Sequence, residues 1–268
     1  MPSTRHSIRF PAIDTNELAQ SEAYFTLTDA AGVESRIRFH DYGAIYARRG
    51  LYEQLFYDRL KCQSPEKVVA ILRHAMGGER RLIHELRVLD LGAGNGMVGA
   101  ELQKFGVARL VGVDISAAAA MAVARDRPGV YDDYYDIDMT TMTPAQREHL
   151  AGWRFNCMVS VAALGFGDIP VRVFAEAFNL VDDEGWIAFN IKETFLDDRD
   201  TSGFSVFIKR LILSEYLDIY HMERYRHRLS IDGQPLYYFG VAGRKAGTIP
   251  ENMIDAPESA GASAPVAT

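Results

Sequence analysis

Between Arg87 and Gly99 the chain reads Arg-Val-Leu-Asp-Leu-Gly-Ala-Gly-Asn-Gly-Met-Val-Gly, and no other stretch constrains the fold as strongly. Val88, Leu89 and Leu91 form a near-continuous apolar run, the pattern of a buried parallel strand. Gly92, Gly94 and Gly96 follow at alternate positions, and Met97, Val98, Glu101, Leu102 and Phe105 then recur at helical spacing. Strand, glycine turn and helix in direct succession make a nucleotide-binding loop. Glycine lets the backbone approach a ligand, and the helix start offers unpaired N–H groups. Two other glycine loops fit less well. A P-loop needs Lys-Ser/Thr after its last glycine, where this chain has Met97-Val98. A dinucleotide fingerprint does occur as Gly94-Asn95-Gly96-Met97-Val98-Gly99, with Asp114 about twenty residues on. It is out of register: begun at Gly92, directly after the strand, its third glycine falls on Met97. Asp90 at the strand's end also suits a cationic or amino-bearing ligand better than a pyrophosphate.

Strands and helices alternate beyond the loop. Leu110 to Asp114 reads as a second strand, and Ile115-Ser116 opens an alanine-rich helix that Pro128-Gly129 ends. Tyr134 to Asp138 reads as a short third strand, Pro144 to Leu150 as a helix and Phe155 to Val161 as a fourth strand. A helix from Pro170 to Leu180 puts Val173, Phe174, Ala177 and Phe178 on one side, and Trp186 to Ile191 is a fifth strand. This alternation implies right-handed crossovers and a parallel sheet covered on both faces. A helix from about Phe204 to Tyr216 precedes two strand-like runs, Ile219 to Leu229 and Leu236 to Val241, joined by Asp232-Gly233. Ahead of the loop, Tyr24 to Thr28 and Ser35 to Phe39 read as a hairpin, and an aromatic-rich helical stretch runs from Leu51 to Leu60. Ser64-Pro65 reads as the N-cap and first residue of a helix that Gly77-Gly78 stops. Residues 1–20 carry too little pattern to place. Residues 246–268, rich in Ala, Pro, Ser and Glu, read as a disordered tail. The expected division is a hairpin and helical cap over 1–80, an α/β domain over 81–245, and the tail.

The stretch from Asp90 to Gly96 resembles motif I of class I S-adenosylmethionine (SAM)-dependent methyltransferases: an acidic residue, one apolar residue, then Gly-x-Gly-x-Gly. The resemblance covers about residues 85–245. It implies a doubly wound, mostly parallel seven-stranded Rossmann-like sheet whose terminal hairpin adds one antiparallel edge strand. It implies SAM as cofactor and S-adenosylhomocysteine (SAH) as product. By this resemblance Asp90, Gly92, Ala93, Gly94 and Gly96 wrap the methionine half, with Asp90 near its charges. Asp114, with Ile115 beside it, matches the acidic residue that accepts from both ribose hydroxyls. Two carboxylate oxygens do suit two vicinal donors, and a helix N-cap is the plain alternative. Asp138-Met139 falls where an acidic residue accepts from the adenine amino group, a solvated loop carboxylate being the alternative there. Ser160 and Ala162, after strand four, fall beside the donated methyl. The Asn/Asp-Pro-Pro-Tyr run of members that methylate exocyclic or amide nitrogens is absent from Ser160 to Phe166, which argues against DNA-base and glutamine methylation. His40, Tyr42 and Tyr46 are the catalytic candidates, by analogy with cap tyrosines of the family. Tyr46 is expected to face the sulfonium.

Charge and composition bound the partners. A formal charge of -7 and a pI near 5.5 across 268 residues argue against a nucleic-acid backbone. Cys62 and Cys157 lie far apart without metal spacing, and His221 and His227 match no ligand cluster. No metal site is expected, and a reduced cytoplasmic protein is the plain reading. No apolar run approaches the ~20 residues of a membrane span, and Met1 to Phe10 holds no signal-peptide core. The expected partner is a small-molecule acceptor with an O, N or S nucleophile, neither nucleic acid nor membrane, and a homodimer is compatible with the chain. A protein or RNA methyltransferase is the alternative within the family. A SAM-binding regulatory protein without transfer activity is the alternative of another class. Arg224, Arg226 and Arg228 alternate along a strand-like run and read as one solvated face. Tyr52, Phe56 and Tyr57 read as packing.

Overall fold

The computed structural model describes residues 5–11, 23–77, 83–164, 168–193 and 204–254. Three N-terminal strands, β1 (Ser7–Arg9), β2 (Tyr24–Thr28) and β3 (Glu34–Arg38), form a small antiparallel sheet. Helix α1 (Tyr42–Tyr46) and a π-helical segment (Glu53–Arg59) pack on it, so the stretch from Leu51 to Leu60 is helical but wound more widely than an α-helix. Ile8, Phe25, Ile37, Phe39, Leu51 and Leu55 make a core belonging to this N-terminal piece alone. Helix α2 (Ser64–Ala75) leads from it to the main sheet. Its N-cap is Gln63, not the expected Ser64. Ser64 begins the helix proper, and its buried hydroxyl turns inward to the Tyr225 hydroxyl (2.7 Å) and His227 Nδ1 (2.6 Å).

Seven strands make the main sheet: β4 (Arg87–Leu91), β5 (Arg109–Asp114), β6 (Asp133–Asp136), β7 (Cys157–Ser160), β8 (Trp186–Lys192), β9 (Leu217–Leu229) and β10 (Pro235–Lys245). Their order is β6-β5-β4-β7-β8-β10-β9. The strands from β4 to β8 pair in parallel, as the alternation requires. Both faces of this part are covered, which is why β7 and the first six residues of β8 are buried without a break. Helices α3 (Met97–Lys104), α4 (Ala117–Asp126), α5 (Pro144–Ala151), α6 (Val171–Asn179) and α7 (Phe204–Leu213) supply the cover, together with α2. One face packs Phe155, Phe174, Phe178, Phe189 and Phe207. The other packs Val68, Leu72, Val88, Leu102 and Leu110. The doubly wound, mostly parallel Rossmann-like sheet expected from the sequence is present.

One expectation of topology is corrected. The reversed strand is β10, antiparallel to both β8 and β9, and it lies inside the sheet rather than at its edge. The run Gly240 to Gly243 is buried and suits an interior place. Strand β9 alternates less and more exposed positions, with Asp218, Tyr220, Met222 and Arg224 outward, which suits an edge. Residues 246–254, assigned above to the tail, pack on the domain and end in the short helix α8 (Glu251–Ile254). Ile249 is 2% exposed, and its backbone bonds the Asn179 side chain in both directions (2.8 and 3.0 Å). The rest of the expected tail lies outside the described residues. No described helix is long and apolar enough to cross a membrane.

Candidate active site

The chain runs outward from β4 through β5 to β6, then returns to lay β7 against the other side of β4. Strand ends on either side of such a reversal leave a crevice. A cavity of about 500 Å³ occupies it, within the range of small-molecule sites.

The glycine loop forms its floor. Gly92, Gly94 and Gly96 have φ of +71°, +53° and +83°, a region that other L-residues enter at a cost. A Cβ on Gly94 would lie 2.7 Å from the Tyr46 hydroxyl. Gly92 and Ala93 both donate their N–H to the Val113 carbonyl, which ties the loop to β5. Asp114 completes the tie. Its Oδ2 accepts from the Gly94 N–H (2.8 Å) and its Oδ1 from the Ser116 N–H (2.9 Å). Burial pushes the Asp114 carboxyl above the usual range, against the pull of these backbone donors. Ser116 caps α4 through its own hydroxyl, so Asp114 is a clamp on the loop and not the helix cap. Each of its oxygens retains acceptor capacity.

Gly92, Ala93, Gly94, Asp114, Ile115, Asp138, Met139, Ala162, Tyr42 and Tyr46 all line the cavity. Asp138 Oδ1 accepts from the Thr140 hydroxyl and N–H (2.6 and 2.8 Å), and these bonds hold its carboxyl below the usual range. Four expected residues lie elsewhere. Asp90 follows strand alternation to the opposite side from Leu89 and Leu91, and it is fully buried. Its Oδ2 accepts from the Tyr131 hydroxyl (2.7 Å), while Oδ1 has no partner among the described residues. Burial lifts this carboxyl to about 7, with the Tyr131 bond opposing. Gly96 faces Tyr131 and Val130, either 3.3 Å from a Cβ placed there, and serves packing. The Ser160 hydroxyl is buried without a partner among the described residues. His40 lines a neighbouring recess, with Nδ1 3.7 Å from Asp168 Oδ2. Gly165 and Phe166 lie outside the described residues.

Tyr42, Tyr46, Tyr52 and Tyr57 roof the cavity, so Tyr52 and Tyr57 do more than pack. The rings of Tyr42 and Tyr46 stack with centroids 5.9 Å apart, and Tyr46 meets Tyr52 at 5.2 Å. Burial raises all four phenols, which enter as neutral hydroxyls. The alanines of α4 explain how the roof comes so close: Ala119 and Ala122 are buried against Tyr46, with Tyr42 and Tyr52 beside them. Arg125 donates to the Tyr46 carbonyl (2.9 Å). Arg127 pairs with Glu53 (2.6 Å), whose Oε1 also accepts from Asn95 Nδ2 (3.0 Å). The cap is thereby fastened to the tip of the glycine loop.

After β7 the backbone turns sharply. Ala162 has φ of +58°, a conformation costing a non-glycine residue about 1–2 kcal/mol. Its N–H donates to Asn190 Oδ1 (2.7 Å), and Asn190 Nδ2 donates to the Tyr225 hydroxyl (2.7 Å) and Ser64 Oγ (3.2 Å). His227 closes the network on Ser64, and burial holds it neutral. Sequence reasoning missed this support because its members come from α2, β8 and β9.

A methyltransferase domain family matches residues 89–189, from the glycine loop to β8. No curated protein matches the chain. Among solved structures it is similar to the N-methyltransferase NodS from Bradyrhizobium japonicum in complex with SAH. The TM-score is 0.52 and the identity 13%, over 78% of this chain and 98% of that one. A Pyrococcus horikoshii protein proposed to be an RNA methyltransferase gives 0.50 at 14% identity, over 68% and 83%. Magnesium protoporphyrin IX methyltransferase from Synechocystis with bound SAM gives 0.48 at 12% identity, over 68% and 79%.

Proposed function

We infer that the chain is a class I SAM-dependent methyltransferase, a reading its methyltransferase-domain match and its glycine loop support, and we propose that it methylates an O, N or S nucleophile of a small molecule. The observation that carries this reading is the aromatic roof. Four tyrosines roof a cavity of about 500 Å³, and Tyr46 among them is only 6% exposed. An acceptor that fits beneath this roof is a small molecule, whereas a nucleotide within a chain would have to be threaded under it.

The walls fit the cofactor. Gly92 and Gly94 line the cavity, and Asp114 can accept from two further hydroxyls. Ile115, an apolar side chain 69% exposed at the cavity rim, is a surface that a nucleobase would cover. On this reading Gly92 to Asn95 hold the methionine half and Asp114 the ribose. Ile115, Asp138 and Met139 flank the adenine, and the Val161-Ala162 backbone borders the methyl. When bound, the cofactor supplies an electrophilic sulfonium methyl. The protein then contributes alignment, worth up to about 7–11 kcal/mol in well-oriented systems, and a dry, aromatic roof suited to a cation. Tyr42 and Tyr46, with raised pKa values, orient the acceptor by hydrogen bonding and do not deprotonate it.

Methyl-labelled SAM incubated with a deproteinised metabolite extract, and separately with RNA and protein fractions, tests the proposal. Label should enter the metabolite fraction. Incorporation into RNA or protein alone would overturn it.

A further inference from the structure

A second recess adjoins the main cavity, and the two share Tyr42, Tyr52, Tyr57, Ala162 and Asp168 as walls. Its volume of about 60 Å³ is room for one functional group rather than for a whole ligand. Part of its wall comes from β9 and β10, through His227, Arg228 and Tyr238, far in sequence from the glycine loop. Arg228 gives this recess its chemistry. Nη1 donates to the Leu229 carbonyl (2.8 Å), and no carboxylate among the described residues forms an ion pair with the guanidinium. Arg224 on the same strand differs, being paired with Glu193 at 2.8 Å.

The surroundings do not substitute for a partner. Phe39 lies under the guanidinium at 5.9 Å, and the phenols of Tyr42 and Tyr238 stay neutral. His227 is neutral through burial, so it neither repels Arg228 nor shares its task. Asp168, the acidic residue of the wall, lies 3.7 Å from His40 Nδ1 and forms no ion pair with Arg228. A half-buried guanidinium in an aromatic recess, without a counter-ion among the described residues, is one half of an ion pair. Its planar fork matches the two oxygens of a carboxylate better than any single-point acceptor.

Resting on the small-molecule reading above, we propose that this recess anchors the methyl acceptor and that the acceptor is a carboxylic acid held by Arg228. The carboxylate would fill the recess, and the rest of the molecule would pass the shared tyrosine wall into the main cavity. Its nucleophile is then presented beneath Tyr42 and Tyr46. Selection works against uncharged analogues, because they leave the guanidinium desolvated and unpaired.

The test uses the full chain saturated with SAH, titrated calorimetrically with matched acids and amides. Suitable pairs are acetate and acetamide, benzoate and benzamide, and 3-phenylpropanoate and its amide. At least one acid should bind tenfold or more tightly than its amide. Arg228→Gln should abolish that preference while the SAH titration stays within twofold of wild type. Arg228→Lys, which keeps the charge but loses the fork, should retain the sign of the preference at a third of its size or less. It also serves if the glutamine variant fails to fold. Equal binding of acids and amides, no binding of any acid, or a preference that survives Arg228→Gln would each overturn the proposal. Absence of SAH binding in the first titration would instead strike the underlying reading, and the proposal with it.

Discussion

The two sides of the cavity are built on different plans. The proposed cofactor side is made of backbone: left-handed glycines, paired N–H groups and one carboxylate, drawn from β4, β5 and the turns that follow them. The proposed acceptor side is made of side chains: tyrosines from the cap, Arg228 from β9 and Tyr238 from β10. Backbone sites demand particular residues at particular spacings, because only glycine takes those conformations without strain. Side-chain sites demand only that suitable groups converge, and many sequences can arrange that. On the proposed reading, a cofactor common to many enzymes meets the rigid wall, and a substrate particular to one meets the adaptable one.

Substitution at Gly94 should separate the two plans most sharply. Gly94→Ala forces a Cβ into the left-handed region and against the Tyr46 hydroxyl, and SAM affinity should fall about a hundredfold. Tyr46→Phe alone should change SAM affinity less than about threefold. Added to Gly94→Ala, it should restore part of the loss, since it removes the clashing oxygen. Calorimetry on the three variants decides this. Equal losses from the glycine and tyrosine changes would erase the distinction.

Asp114→Ala should lower SAM affinity at least tenfold, leaving ribose donors unpaired at ~1–3 kcal/mol. It should also lower the melting temperature of the unliganded chain by about 2–8 °C, because the Gly94 and Ser116 N–H groups lose their acceptor. A purely ligand-facing carboxylate predicts no change without ligand. Thermal melts with and without SAH distinguish the cases.

Asp90 lies behind the rigid wall, and pH exposes it. Burial lifts its carboxyl from 3.8 to about 7, so the folded chain binds its proton more firmly than the unfolded chain does. Its contribution to stability is fully present below about pH 4 and is lost as pH rises toward 7. Asp90→Asn removes this slope. The variant should gain on wild type by on the order of 2 kcal/mol between pH 5 and pH 8, read from urea unfolding. Parallel stability profiles would show that Asp90 is ionised in the folded chain.

The same contrast explains what could be read from the sequence. The mostly parallel sheet was legible from the strand–helix alternation, and the glycine loop because Val88 to Leu91 and Gly92 to Gly96 state their conformations locally. Asp114 was legible as a candidate ligand residue but not as a clamp, since the Gly94 N–H reaches it only once β4 and β5 pair. Asp90 carried the right residue type, yet alternation turned it away from the cavity. Arg228 was hidden among three alternating arginines. The register between β9 and β10 breaks at Leu236/Tyr237, opposite Arg226 and Arg228, so a single solvated face does not describe all three. Ser64 looked like a helix cap because Ser-Pro usually is one. Its inward turn depends on Asn190, Tyr225 and His227, which no local pattern announces.

Hydrogen exchange of the full chain, with and without saturating SAH, tests the division between the walls most directly. The account predicts slowed exchange at residues 92–98, 114–117 and 138–140. Residues 225–229 and 236–239, behind the acceptor recess, should exchange as before. Protection concentrated on β9 and β10, with the glycine loop unchanged, would contradict it.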